Sequence, residues 1–241
     1  DALGRAEDRR GEHSKARTLL KQALELRQQV SGERSLDTAL TMMHLGDNAM
    51  LLHGWNDARG WYLRAQAGIE ESQGKRSHYY VSLKTALAAS YLRDRRYEAL
   101  PALYEELLVL SRDVYGASSE EYAGTLNDAG AFLYMQHRFA PAFERFRQAA
   151  EIRRRTMPGS LLLGWTSLNA AKARLEFDHC GLARPLLLEA QDILRQQKQA
   201  GSVDAELPEF GSEFGRVAQL CAARPEPALA RSKSGKSGKK R

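Results

Sequence analysis

The chain has 241 residues, 43% of them apolar, with 36 Lys and Arg against 30 Asp and Glu. Its apolar content excludes a wholly disordered chain, no apolar run reaches the roughly 18 residues of a membrane-spanning helix, and two cysteines are too few for a disulfide framework. Arg231, Lys233, Lys236, Lys239, Lys240 and Arg241 hold the whole charge excess with no acid among them, so residues 1 to 230 are formally neutral and lack a basic nucleic-acid-binding body.

Displacing the chain against itself by 42 residues, with one final step of 41, brings four series into register. Small residues recur at Ala16, Ala58, Leu100, Ala142 and Ala183, and four places on stand Leu20, Tyr62, Tyr104, Phe146 and Leu187. Three further on come Ala23, Ala65, Leu107, Ala149 and Ala190. Twelve residues before the first series lie Gly4, Gly46, Ala88, Gly130 and Ala171, with Leu3, Leu45 and Leu87 before the first three. Offsets of three and four share one helix face, so each copy carries an apolar stripe that only a neighbour can bury. Small residues on two successive segments let antiparallel helices approach closely, and the aromatic fills the space between pairs. Each copy reads as a helix-turn-helix, and the chain as all-α.

In chain order, Leu3-Gly4 match the middle of a first helix, so a segment upstream of Asp1 is expected to have been removed. Ser35, Ser77 and Ser160 precede later first helices, and Ser118 stands at capping-box spacing from Glu121. The turns inside pairs fall at His53-Gly54, Arg95-Arg96, His137-Arg138 and His179 to Gly181. Pro101, Pro141 and Pro185 are expected near the starts of second helices, where the backbone N–H has no intrahelical partner. Residues 1–200 thus form the repeat array. Residues 201–223 form a loop, Leu207 to Gly211 included, and a capping helix from Ser212 to about Ala223 with Phe214, Val217 and Cys221 on one side. Residues 224–241 read as a disordered basic tail.

The motif Leu45-Gly46, Trp55, Ala58, Tyr62, Ala65 resembles the tetratricopeptide repeat, and the 42-residue step is similar to its kinesin-light-chain branch. So is the inter-repeat segment Gly32-Glu33-Arg34-Ser35-Leu36-Asp37-Thr38-Ala39. The resemblance covers about residues 1 to 200. It implies a right-handed α-solenoid of about five units that binds a protein or extended peptide in its concave groove, without catalysis or cofactor. On that register the groove positions are Met43, Asp47, Met50, Thr85, Arg93, Asn127, Asp128, Tyr134, Trp165, Asn169 and Lys172, with Leu40, Leu51, Ser82, Ala89, Ala131 and Glu176 beside them. Asn127 and Asn169 can each donate to and accept from a peptide backbone, while the methionines and aromatics offer adaptable apolar contact. Repeated cations for acidic chaperone tails are lacking, since Asp47, Asp128 and Glu176 interrupt Arg93, Asn127 and Lys172.

Other chemistries find little support. Gly235-Lys236-Ser237 lacks the earlier glycine of a phosphate loop, Ala230 standing there. Asp178-His179-Cys180 falls in an interhelical turn where Cys180 reads as a packed structural thiol. No His, Asp or Glu set has metal-ligand spacing. Arg153-Arg154-Arg155 reads as cations favoured at a helix C-terminus. Two alternatives stay open: nucleic-acid or anionic-surface binding through Lys233, Lys236, Lys239, Lys240 and Arg241, and a signalling-peptide sensor controlling an upstream domain. With no span and no disulfide framework, a cytoplasmic location and an interaction role within a larger protein are expected.

Overall fold

A computed structural model of the chain describes residues 1–178, 180–201 and 205–224, and every regular element among them is helical. It falls into two compact units, Asp1–Thr125 and a second beginning at Leu126. The first contains α1 (Ala2–Arg9), α2 (His13–Ser31), α3 (Leu36–Leu51), α4 (Trp55–Gln73), α5 (His78–Arg93) and α6 (Leu100–Tyr115). Helix α7 (Glu120–Met135) begins in the first unit and continues into the second, which adds α8 (Phe139–Thr156), α9 (Leu161–Leu175), α10 (Cys180–Gln199) and α11 (Leu207–Ala222). Each unit is a stack of helices in which sequence neighbours pack on one another.

The small-residue series is what permits this packing. Ala16, Ala58, Ala65, Ala142, Ala149, Ala183 and Ala190 are all fully buried. In the first unit a Cβ placed on Gly46 would lie 2.3 Å from the Tyr62 ring, and one on Gly4 would lie 2.8 Å from Leu20. In the second unit a Cβ placed on Gly130 would likewise lie 2.9 Å from the Phe146 ring. Leu100 and Leu107, the large residues of the third copy, are buried as completely as the alanines they replace. Arg174, a charge at a normally apolar place, keeps its guanidinium between the Phe143 and Phe177 rings, 5.0 and 4.9 Å from their centroids, and pairs with Asp178 at 2.8 Å. Stacking on two rings and a carboxylate compensates the lost hydration of the charge.

Helix ends follow the register with one correction. Ser35, Ser77 and Ser160 accept from the backbone N–H groups of Thr38, Tyr80 and Leu163. In the fourth copy the cap is Ser119, which accepts from Tyr122 N–H at 3.1 Å, and not Ser118. The 42-residue step from Ser77 lands on Ser119, so the repeat outranks the local capping-box spacing. Gly32, Gly74, Gly116, Gly159 and Gly201, each following a second helix, all have positive φ, a conformation that costs other residues a Cβ clash. Gly11 has it too, at the turn after α1, and His53, Arg95 and His137 adopt it at the corresponding turns without being glycine. Ser160 directly follows Gly159, whereas two residues separate Gly32 from Ser35, Gly74 from Ser77 and Gly116 from Ser119. Gly159 follows Gly116 by 43 residues, so losing two residues after it leaves Ser160 41 residues beyond Ser119, which produces the shorter step.

Three further expectations are corrected. Leu207 to Gly211 is not a loop: α11 starts at Leu207 with Pro208 in its first turn, where a missing N–H is tolerated. Phe210, lost to a loop in the sequence reading, is fully buried and reaches Gly164 on α9. Pro185 is interior to α10, because that helix begins at Cys180 rather than after the turn. Cys180 is not a packed thiol: it is disulfide-bonded to Cys221 on α11, with a Cα–Cα distance of 4.8 Å. Val217 and Cys221 are buried and Phe214 packs on the same cluster, so the cap helix uses the expected side.

Candidate functional site

In the first unit the expected groove residues sit on α3 and α5, and each keeps solvent-reachable surface. Met43 and Met50 are half-buried, while Asp47 is open to water and accepts a 2.8 Å hydrogen bond from the buried Tyr62 hydroxyl. Protein atoms crowding the Asp47 carboxyl raise its pKa by desolvation, a rise opposed by the Tyr62 bond. Thr85 is engaged locally, donating to Val81 O at 3.0 Å. Arg93 lies exposed in the last turn of α5.

In the second unit Asn127, Asp128 and Tyr134 lie on α7, and Trp165, Asn169 and Lys172 on α9. They form two clusters along these helices. The first surrounds a cavity of about 420 Å³ lined by Asn127, Asp128, Arg153, Leu162, Trp165, Asn169, Glu206 and Glu209. There Asn169 Nδ2 approaches Asn127 Oδ1 at 3.5 Å, and Asn127 Nδ2 approaches Asp128 Oδ1 at 3.4 Å, long contacts that a ligand's backbone could replace. Trp165 is half-buried and packs on Phe210 with ring centroids 5.1 Å apart. Desolvation in the concavity raises the Asp128 pKa, although the side chain keeps an open face; the Asn127 bond and Arg153 oppose the rise.

The second cluster is already internally bonded. Tyr134 donates to Glu176 at 2.9 Å, Lys172 pairs with Glu213 of α11 at 3.0 Å, and the Lys172 ammonium stands 5.2 Å from the Tyr134 ring centroid. Burial and the Glu176 carboxylate raise the Tyr134 pKa, so the phenol is neutral and acts as a donor.

Sequence reasoning missed Arg153, Leu162, Glu206 and Glu209 as pocket residues. Arg153 is buried and donates to Leu162 O at 3.3 Å and to Thr166 Oγ1, tying α8 to the start of α9. Arg27 does the same in the first unit, donating to Asp37 O at 2.6 Å and Thr41 Oγ1 at 2.8 Å. Arg27 and Arg153 stand three repeats apart, a signal available in the register. Arg154 pairs with Glu189 at 2.5 Å, so this arginine run serves the fold, by side-chain pairing more than by the dipole. Glu206 and Glu209 were hidden by the mistaken loop. Among the described residues no group of three His, Cys, Asp or Glu could hold a metal ion, and no helix is long and apolar enough to cross a membrane. Lys233, Lys236, Lys239, Lys240 and Arg241, and with them the phosphate-loop-like Gly235-Lys236-Ser237, lie outside the described residues.

Tetratricopeptide repeat models match residues 1–71 and 123–158. No curated protein matches the chain in sequence. Among solved structures, a putative kinesin light chain from Podosopora anserina with nearly identical TPR-like repeats aligns over 82% of this chain and 93% of its own, at 14% identity and TM-score 0.69. BtubC (BKLC) from P. vanneervenii aligns over 99% of this chain and 85% of its own, at 21% identity and TM-score 0.66. The apo form of RapI aligns over 92% of this chain but 60% of its own, at 16% identity and TM-score 0.75. The stacked helix pairs, the 42-residue register and these matches show a tetratricopeptide-repeat fold, with repeats similar to those of the kinesin-light-chain structures.

Proposed function

We propose that the chain is a protein-interaction module that binds an extended peptide or a partner segment along the first helices of its pairs, with no catalysis of its own. The cavity against α7 and α9 carries this reading. Two amides, an indole face and open carboxylates converge there, and the amide–amide contact is long enough to yield to a better partner. Asn127 and Asn169 would hold a peptide backbone as donor and acceptor, Trp165 would cover an apolar or flat group, and Asp128 would select charge. In the first unit Met43, Asp47, Met50, Thr85 and Arg93 would extend the contact over α3 and α5. The module would work in the cytoplasm as the interaction or regulatory part of a larger protein.

The test is affinity capture from source-cell lysate with the immobilised full chain and with the Asn127→Ala/Tyr134→Ala variant, each at low and high salt. The groove reading expects partners that survive high salt on the native chain and disappear from the variant while circular dichroism is unchanged. Equal capture by both chains would overturn it, and capture lost from both in salt would assign binding to exposed charge instead.

A further inference from the structure

We infer that the Cys180–Cys221 pair is a redox switch for the candidate site of the second unit, an assignment that rests on the groove reading of that pocket. The bond fastens α11 against α9, and opening it releases the helix that forms one wall of the cavity. Glu206, the N-cap of α11, and Glu209 in its first turn line the cavity beside Trp165 and Asn169 of α9. Phe210 fills the space over Gly164 and packs on the Trp165 indole with centroids 5.1 Å apart, while Glu213 pairs with Lys172 at 3.0 Å. Trp165 and Lys172 are thus held in place by α11.

Helix α11 is weak by itself. Gly211 and Gly215 lie inside it and lower its tendency to form, yet packing requires neither: a Cβ on Gly215 meets nothing within 4 Å, and one on Gly211 makes only ordinary contact with Leu194. Its last turn is fastened by the disulfide, by Cys180 N–H donating to Arg224 O at 2.9 Å, and by the Arg224 guanidinium donating to Leu175 O. A covalent link across 41 residues favours the docked helix by up to about a thousandfold. Both cysteines are only 5% exposed, so exchange at sulfur requires this turn to lift, and chemistry and movement are coupled. On oxidation one thiolate attacks a small-molecule disulfide such as oxidised glutathione and expels a thiol, and the second cysteine attacks the mixed disulfide and expels the other. One S–S bond forms as one is lost, two electrons leave the cysteines, and their two protons end on the released thiols; a dithiol reverses the step and becomes a disulfide itself. In a reducing compartment the resting chain therefore carries a loose α11 and an incomplete site, and oxidation assembles it.

The test follows Trp165 in the full chain carrying Trp55→Phe and Trp61→Phe, which leaves it the sole indole. The chain is poised in glutathione buffers of increasing oxidation, and thiol alkylation with mass detection reports the state of the pair. Reduction should move Trp165 emission to longer wavelength, open it to acrylamide, and speed amide exchange over α11 by up to about a thousandfold, all reversed by oxidation. Adding Cys221→Ser should give the reduced behaviour in every buffer. Adding Gly211→Ala and Gly215→Ala instead, which strengthens the helix, should keep Trp165 covered in more of the reduced chain. Unchanged Trp165 emission with both thiols alkylated would overturn the proposal, as would a redox response that survives Cys221→Ser, or a loss of helicity across both units on reduction. The readout needs no partner, so the switch and the Asn127/Tyr134 capture experiment fail separately.

Discussion

Replacing glycine by alanine should have opposite effects at two sites fourteen residues apart. Gly60 lies exposed in α4, and a Cβ added there meets nothing within 4 Å. Gly60→Ala therefore gains only the helix-propensity difference, about 0.8 to 1 kcal/mol of stabilisation. At Gly46 the same methyl would sit 2.3 Å from Tyr62 Cε1, more than 1 Å inside ordinary contact. The ring cannot step aside, because it is 1% exposed and its hydroxyl is tied to Asp47 at 2.8 Å. Overpacking of this kind costs about 1 to 3 kcal/mol, and a pinned aromatic belongs at the upper end. Less the propensity gain, Gly46→Ala should destabilise by about 2 kcal/mol. At about 2 to 4 °C per kcal/mol, thermal unfolding followed by circular dichroism should place Gly60→Ala a few degrees above the native chain and Gly46→Ala about 4 to 8 °C below it. Adding Tyr62→Leu to Gly46→Ala should make the pair less destabilising than the sum of the single changes. A Gly46→Ala chain as stable as Gly60→Ala would refute the packing of α3 on α4.

Ser119→Ala should cost about 1 kcal/mol as the loss of an N-cap, whereas Ser118→Ala should stay within about 0.5 kcal/mol, both read from urea midpoints. Ala149→Arg should abolish cooperative unfolding of the second unit by burying an unpaired charge at a fully buried site, and a folded variant would show the register to be wrong. Cys221→Ser, or a reductant, should weaken the α10–α11 segment by up to about 4 kcal/mol, the loop-closure value for a separation of 41 residues. Hydrogen exchange over α11 measures it, and protection unchanged by reductant would contradict the bond. In the cytoplasm such a bond would be held open for most of the time.

The helix pairs were legible because their determinants are repeated. A single small residue proves little, but Gly46, Ala58, Tyr62 and Ala65 recur in phase, and phase is a property of the sequence alone. The solvent-reachable faces of α3, α5, α7 and α9 were legible for the same reason, since exposure follows from burial of the opposite stripe. What escaped lies where the repeat ends. Leu207-Pro208 looked like a loop because proline in a first helical turn and proline in a loop are the same letters, and only Phe210 docking against Gly164 decides between them. The Cys180–Cys221 bond escaped because it depends on where α11 returns along α10, a long-range outcome that neither cysteine's neighbours encode. Arg153 was misjudged for a subtler reason: its cationic run fits the helix dipole, yet its own carbonyl and hydroxyl partners lie on the next helix.

The bond between α10 and α11 also changes how the chain would transmit tension. A pull applied beyond Ala222 passes from Cys221 directly to Cys180 and bypasses everything between them. Forty residues of contour, about 140 Å when fully drawn out at roughly 3.5 Å each, stay hidden from the load until the bond is reduced. An oxidised chain stretched by its ends should therefore lengthen by that much less than a reduced one, and the pocket carboxylates Glu206 and Glu209, lying inside the closed ring, would be shielded from the force.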